Sequence, residues 1–320
     1  MKITSIACAA AMALIGTSFA GGEGWTTDFS SAKKQAAEQK KDLLIDFTGS
    51  DWCGWCIKLN DEVFKHDAFK AGVKDSFLLV ELDFPKDKSK LSAEAQKQNE
   101  ELSKKYAVQG FPTILLTDAD GRPYAATGYQ KGGPEKYVAH LNELRGQKTR
   151  RDEAFAAAEK AQGIEKAKAL VAALDAMKLD EAAVTSFYGD VVAQIATADP
   201  KDETGFTAKA SAKKRFTDFQ EQLQAFGQKE DIEGALGLVD QTLKEGGLGK
   251  DETQQVMLIR AAILAEQKKF DDAIKAADEA KAFHPEGKMA GFIDNFRKKI
   301  ESAKNAPAEK PGEGGKRETN

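Results

Sequence analysis

The chain has 320 residues, 41% hydrophobic and 31% charged, with a formal net charge of −4. That length accommodates two ordinary domains rather than one small core. Acidic and basic residues are interspersed, which excludes a basic stripe for nucleic acid and a polybasic membrane anchor.

The first twenty residues, MKITSIACAAAMALIGTSFA, differ from the rest. Lys2 precedes an apolar run shorter than the ~20 residues of a membrane span. Small residues at Ser18 and Ala20 suit signal peptidase, so the pattern predicts a signal peptide over 1–20 and export to the periplasm of a Gram-negative envelope. Cys8 lies inside the apolar run and leaves with it.

Next come Trp25-Thr26-Thr27-Asp28-Phe29 and a first helix over Ser31 to Glu38, capped by Asp28 or Ser30. Leu43-Leu44-Ile45-Asp46-Phe47 is a short apolar run suited to a strand buried on both faces. Thr48-Gly49-Ser50-Asp51 turns into Trp52-Cys53-Gly54-Trp55-Cys56, and Leu59, Val63 and Phe64 recur at helical spacing. The cysteines therefore stand between a strand and a helix N-terminus. Phe77 to Asp83 predicts a second strand, Pro85 to about Glu94 a charged surface loop, and Asn99 to Tyr106 a helix. Phe111 to Leu116 reads as a strand, Asp118-Ala119-Asp120-Gly121 as a hairpin turn, Pro123 to Thr127 as its partner strand, and Pro134 to Leu144 as a helix. The alternation describes an α/β domain with a mixed sheet.

From about Lys148 the composition shifts to alanine, lysine, glutamate and leucine, and every periodicity is helical. Phe216, Phe219, Leu223 and Phe226 form an apolar stripe expected to be core. Ile164-Glu165-Lys166-Ala167, Ile232-Glu233-Gly234-Ala235 and Phe270-Asp271-Asp272-Ala273 open helices alike, and the last continues to Ala277, Ala280 and Pro285. That unit resembles the second helix of a tetratricopeptide repeat, which implies an all-α, TPR-like domain with a surface for a protein partner. The final Pro-, Gly-, Glu- and Lys-rich stretch predicts a disordered tail.

Loss of Cys8 would leave Cys53 and Cys56 alone, spaced Cys-x-x-Cys. Disulfide exchange needs a reactive thiolate and a nearby second thiol to release the mixed disulfide. A helix N-terminus stabilises the thiolate of the first cysteine, and the two-residue spacing places the second one turn further in and less exposed. Zinc would need four ligands, and only His66, His140 and His284 remain to complete a set, with no second Cys-x-x-Cys. A purely structural disulfide would close a loop too short to stabilise much. No cofactor is expected.

Residues 25 to 144 resemble the thioredoxin superfamily, and in particular an exported bacterial branch carrying Asp-Phe-Thr-Gly-Ser-Asp-Trp-Cys-x-Trp-Cys. The likeness is carried by Ile45-Asp46-Phe47 before Trp52-Cys53-Gly54-Trp55-Cys56, by Asn99, Leu102, Tyr106, Val108 and Gly110-Phe111-Pro112-Thr113, and by Asp120-Gly121 and Gly128. It implies a thioredoxin-like domain, expected over 21–147, and the composition places the TPR-like domain over 148–303 and the tail over 304–320. It further implies a cis Phe111–Pro112 peptide facing the cysteines, a substrate groove formed with Trp52, Gly54, Trp55 and Thr113, and a buried Asp46 that takes a proton from the resolving Cys56. The segment from Asp46 to Cys53 is one residue longer than in ordinary thioredoxin, and Trp55 replaces its proline. The expected activity is thiol–disulfide exchange on exported proteins, with a redox partner that resets the dithiol. Alternatives are a helical scaffold whose dithiol only senses redox state, and a thiol reductase for metal or haem maturation.

Overall fold

A computed structural model describes residues 24–305. The predicted signal peptide, and the tail beyond residue 305, lie outside these residues. The chain divides into two compact units, the first ending at Thr204 and the second beginning at Gly205.

In the first unit the strands are β1 (Trp25–Thr26), β2 (Asp42–Thr48), β3 (Phe77–Asp83), β4 (Thr113–Thr117) and β5 (Pro123–Thr127). They form one sheet in the order β1-β3-β2-β4-β5. β1, β3 and β2 run parallel, while β4 is antiparallel to β2 and to β5. β2 is central, which explains its unbroken apolar run: every residue of it is buried. Leu43, Ile45 and Phe47 join Val80 and Leu82 under α1 (Phe29–Gln39) and α4 (Ala93–Lys105). On the opposite face Trp25, Phe64, Phe69 and Tyr137 form an aromatic cluster, with ring centroids 4.9 to 6.5 Å apart.

The helices follow local chemistry. The Asp28 carboxylate accepts the Ser31 amide and caps α1, as expected. Ser92 accepts the Ala95 amide, so α4 begins at Ala93 rather than near Asn99. α2 (Gly54–Leu59) starts directly after Cys53 and loosens into a π-helical turn over Asn60–Phe64. A short α3 (Asp67–Val73), which the sequence reading did not anticipate, returns the chain to β3.

α5 is one continuous helix from Gly133 to Lys160. The compositional change at Lys148 falls inside it, as does the boundary expected at 147/148. The first unit goes on through α6 (Gly163–Met177) and α7 (Glu181–Ala198). α7 is tied to the sheet by polar contacts. The Tyr188 hydroxyl donates to the Pro123 carbonyl at 2.8 Å, and Arg151 donates to the Tyr188 oxygen at 3.0 Å. Arg122 donates to the Phe187 carbonyl at 2.9 Å, and the Phe187 ring stacks on Tyr106 at 4.6 Å.

The second unit contains α8 (Phe206–Gln228), α9 (Ile232–Glu245), α10 (Lys250–Glu266), α11 (Phe270–Phe283) and α12 (Ala290–Lys304). Phe219 is buried with Val239, Val256 and Ile263, and the partly buried Phe216, Leu223 and Phe226 of the stripe pack against that cluster. Ala273, Ala276, Ala277 and Ala280 let α11 approach Leu258 and Ala261 of α10 closely. Of the three similar helix starts, Ile232 and Phe270 open helices here, whereas Ile164 lies in α6 of the first unit. The whole chain is a mixed-sheet α/β domain followed by a largely helical region.

Candidate active site

The dithiol sits where β2 gives way to α2. Cys53 is the N-cap of α2, and its Sγ accepts the Cys56 backbone amide at 3.2 Å. Cys53 and Cys56 are joined as a disulfide. Unpaired amides at a helix start stabilise negative charge, so this geometry favours a thiolate on Cys53 once the pair is reduced. Cys53 retains 6% of its surface and Cys56 4%. The expected contrast in exposure between them is therefore small in the oxidised form, because both sulfurs are drawn into the same bond.

The turn before the cysteines is fixed by close packing. A Cβ on Gly49 would come within 2.6 Å of the Trp52 indole, so only glycine fits. The Cys53 amide donates to the Gly49 carbonyl at 2.9 Å. Trp52 donates its indole N–H to the Phe84 carbonyl at 2.8 Å and meets the Phe111 ring edge-on at 5.8 Å, yet it remains 42% exposed. It is a packed residue and an exposed rim at once. Gly54 has open space where a side chain would be.

Trp55 is the more exposed of the two indoles, at 58%. Its ring lies 5.1 Å from Tyr129, and the Lys58 ammonium stands over both rings at 5.3 and 5.2 Å. Tyr129 donates to Glu62 at 2.6 Å. Sequence reading missed Tyr129 and Glu62, since nothing in their spacing shows that they meet Trp55.

The Phe111–Pro112 peptide is cis. The Thr113 hydroxyl donates to the Gly110 carbonyl at 2.7 Å, and Phe111 packs between Trp52 and Phe84. A Cβ on Gly128 would lie 3.1 Å from the Pro112 carbonyl, which accounts for glycine there. This loop forms one wall of a cleft of about 560 Å³ whose far wall includes Lys178, Leu179 and Ala183.

Asp46 is buried at 5% exposure on β2, not in water. Burial, then the charges of Glu81 and Asp83, push its carboxyl well above the usual range. The charged loop after β3 is held by Asp51, which accepts the Lys86 amide at 2.8 Å and pairs with Lys90 at 2.9 Å. The Lys90 hydrogen bond, with the Lys86 amide second, holds the Asp51 carboxyl down at about 2. Among the described residues no group of three or more His, Cys, Asp or Glu is arranged to hold a metal.

A disulfide at a helix N-cap, beside a cis-proline loop and over a mixed sheet, is the arrangement of a thioredoxin-like thiol–disulfide oxidoreductase, and the chain belongs to that family. A thioredoxin-like domain profile matches residues 29–145. The chain is 36% identical over 113 residues to the disulfide bond reductase DsbH of Chlamydia pneumoniae, covering 35% of this chain and 68% of the relative. It is 30% identical over 98 residues to the thioredoxin-related protein DsbJ of the same organism, covering 31% and 28%. A solved DsbH oxidoreductase structure aligns with 31% identity and a TM-score of 0.36, covering 41% of this chain and 91% of that one.

Proposed function

We propose that this protein works in the bacterial periplasm as a reductant of disulfides in exported proteins. The observation that carries this is the Cys53 Sγ at the start of α2, accepting the Cys56 amide at 3.2 Å next to the cis-Pro112 loop. In this reading Cys53 attacks a client disulfide, and Cys56 then displaces the reduced client from the mixed disulfide. Asp46 takes the Cys56 proton. Trp52, Gly54, Trp55, Phe111, Pro112 and Thr113 form the groove in which an extended client segment lies, and the empty space beside Gly54 admits its backbone. The reductive direction is supported by the likeness to DsbH, a disulfide bond reductase, and the periplasmic location by the signal-like residues 1–20. A redox partner returns the oxidised dithiol to its reduced state.

Insulin reduction tests the reading. The wild type is expected to precipitate insulin B chain in the presence of a dithiol donor, and Cys53→Ser and Cys56→Ser to fall to the uncatalysed rate. In cells, Cys56→Ser should accumulate mixed disulfides through Cys53 with exported proteins. Equal inactivity of wild type and both variants with every donor, and no captured client, would rule the activity out.

A further inference from the structure

Four buried carboxylates share the sheet face that carries the aromatic cluster: Asp42 and Asp46 on β2, Glu81 and Asp83 on β3. Two of them are answered. Asp42 accepts the Tyr124 hydroxyl at 2.8 Å and Lys148 at 2.6 Å. Asp83 accepts the Ser50 amide at 2.8 Å and its hydroxyl at 2.6 Å. The other two are not: Asp46 Oδ1 and Glu81 Oε1 are buried and lack any hydrogen-bond partner among the described residues.

These two orphans are neighbours. Asp46 and Glu81 are register partners on parallel strands, so their Cα atoms lie roughly 4.8 Å apart with both side chains on one face. The groups facing them from the surrounding elements bring no compensating cation. Asp83 lies along β3 and adds negative charge. Tyr137 comes from α5, with its hydroxyl donated to the Gly128 carbonyl at 3.1 Å. Cys53 and Cys56 stand at the start of α2 and carry no charge as a disulfide. Two adjacent buried carboxylates without a cation do not both ionise. Burial, then Asp83, raises Glu81 from 4.5 to about 7, and Asp46 is raised as well.

We propose that Asp46 and Glu81 act as one unit that keeps a single proton between them at neutral pH, which makes Glu81 a positioning residue that sets when Asp46 can receive the Cys56 proton. The proposal rests on the role given to Asp46 above. In the reductive cycle, Cys53 gives its proton to water, and its thiolate forms a bond to one client sulfur. The client S–S bond breaks, and the first client thiolate takes a proton from water. Cys56 then passes its proton to the ionised member of the pair and attacks the Cys53 sulfur. The mixed disulfide breaks, and the second client thiolate takes that proton back from the pair. Two electrons go to the client, and the pair ends with the one proton it began with. Its buried charge thus never exceeds that of one carboxylate.

The test is rapid mixing of the reduced full chain with an aryl disulfide that releases a coloured thiolate at each step, followed from about pH 5 to pH 9. The second release reports attack by Cys56. Asp46→Asn is expected to slow it about tenfold or more relative to the first release. Glu81→Gln removes the like charge beside Asp46, so its pH midpoint should fall by about one unit or more at an unchanged plateau, and Glu81→Asp should restore the wild-type midpoint. No effect of Asp46→Asn on the second release would overturn the role of Asp46 and the pair with it. A slow Asp46→Asn beside an unmoved Glu81→Gln midpoint would overturn the pair alone. Carbon-13 titration of the wild-type carboxyls needs no variant: the two resonances should move together in two steps. Independent titration of both below about pH 5 would overturn the pair.

Discussion

At the scale of single residues, Glu81 also has a consequence for stability. Burial, then the charge of Asp83, raises its carboxyl in the folded protein to about 7 from the 4.5 of the exposed group. Between those values the folded state binds the extra proton, so its contribution is fully present below the lower value and is lost as pH rises through the upper one. That rise corresponds to about 3 kcal/mol. Urea unfolding at pH 5 and pH 8 should show the wild type losing stability between them, and Glu81→Gln should flatten that loss. The cysteines, Pro112 and Asp46 were legible in the sequence because each belongs to a contiguous motif. Glu81 was not, because its meaning comes from a strand partner 35 positions away in the chain, and an acidic residue in an apolar run looks like any other. Tyr129 and Glu62 around Trp55 escaped for the same reason.

At the scale of elements, the sheet was read nearly strand for strand, since β2 and β3 are apolar runs bounded by charged residues and the β4–β5 turn is marked by Asp120-Gly121. Helix lengths were harder. α5 outlasts its first apolar stripe by four turns or so, so its period alone gave too early an end. The polar tie between α7 and the sheet was not visible at all, because it joins Arg151, Tyr188 and the Pro123 carbonyl across distant segments. Its removal should be costly. Tyr188→Phe would leave the Pro123 carbonyl and one Arg151 donor unpaired, and a loss of about 1–3 kcal/mol is expected by chemical denaturation. Ring packing is kept in that variant, so the change reports the hydrogen bonds.

At the scale of the whole molecule, the composition correctly separated an α/β part from a helical part, yet the compact unit and the change in texture end at different places. Helices α6 and α7 have the alanine-rich composition of the second unit and the contacts of the first. A fragment ending at Thr204 is therefore expected to unfold in one cooperative transition and to keep full insulin reduction. A fragment ending at residue 147 loses the Phe187 ring from Tyr106 and the Tyr188 hydroxyl from Pro123, and should melt lower and bind a hydrophobic dye. Differential scanning calorimetry and dye fluorescence of the two fragments, set beside the full chain, would decide it.

The seal that Tyr188 places on Pro123 also bears on company the protein keeps. An open strand flank is a template on which a foreign chain can add itself, rung by rung. β1 offers only two residues, and β5 begins with a proline whose carbonyl is already taken. On this sheet one margin is two residues long and the other is blocked at its first residue.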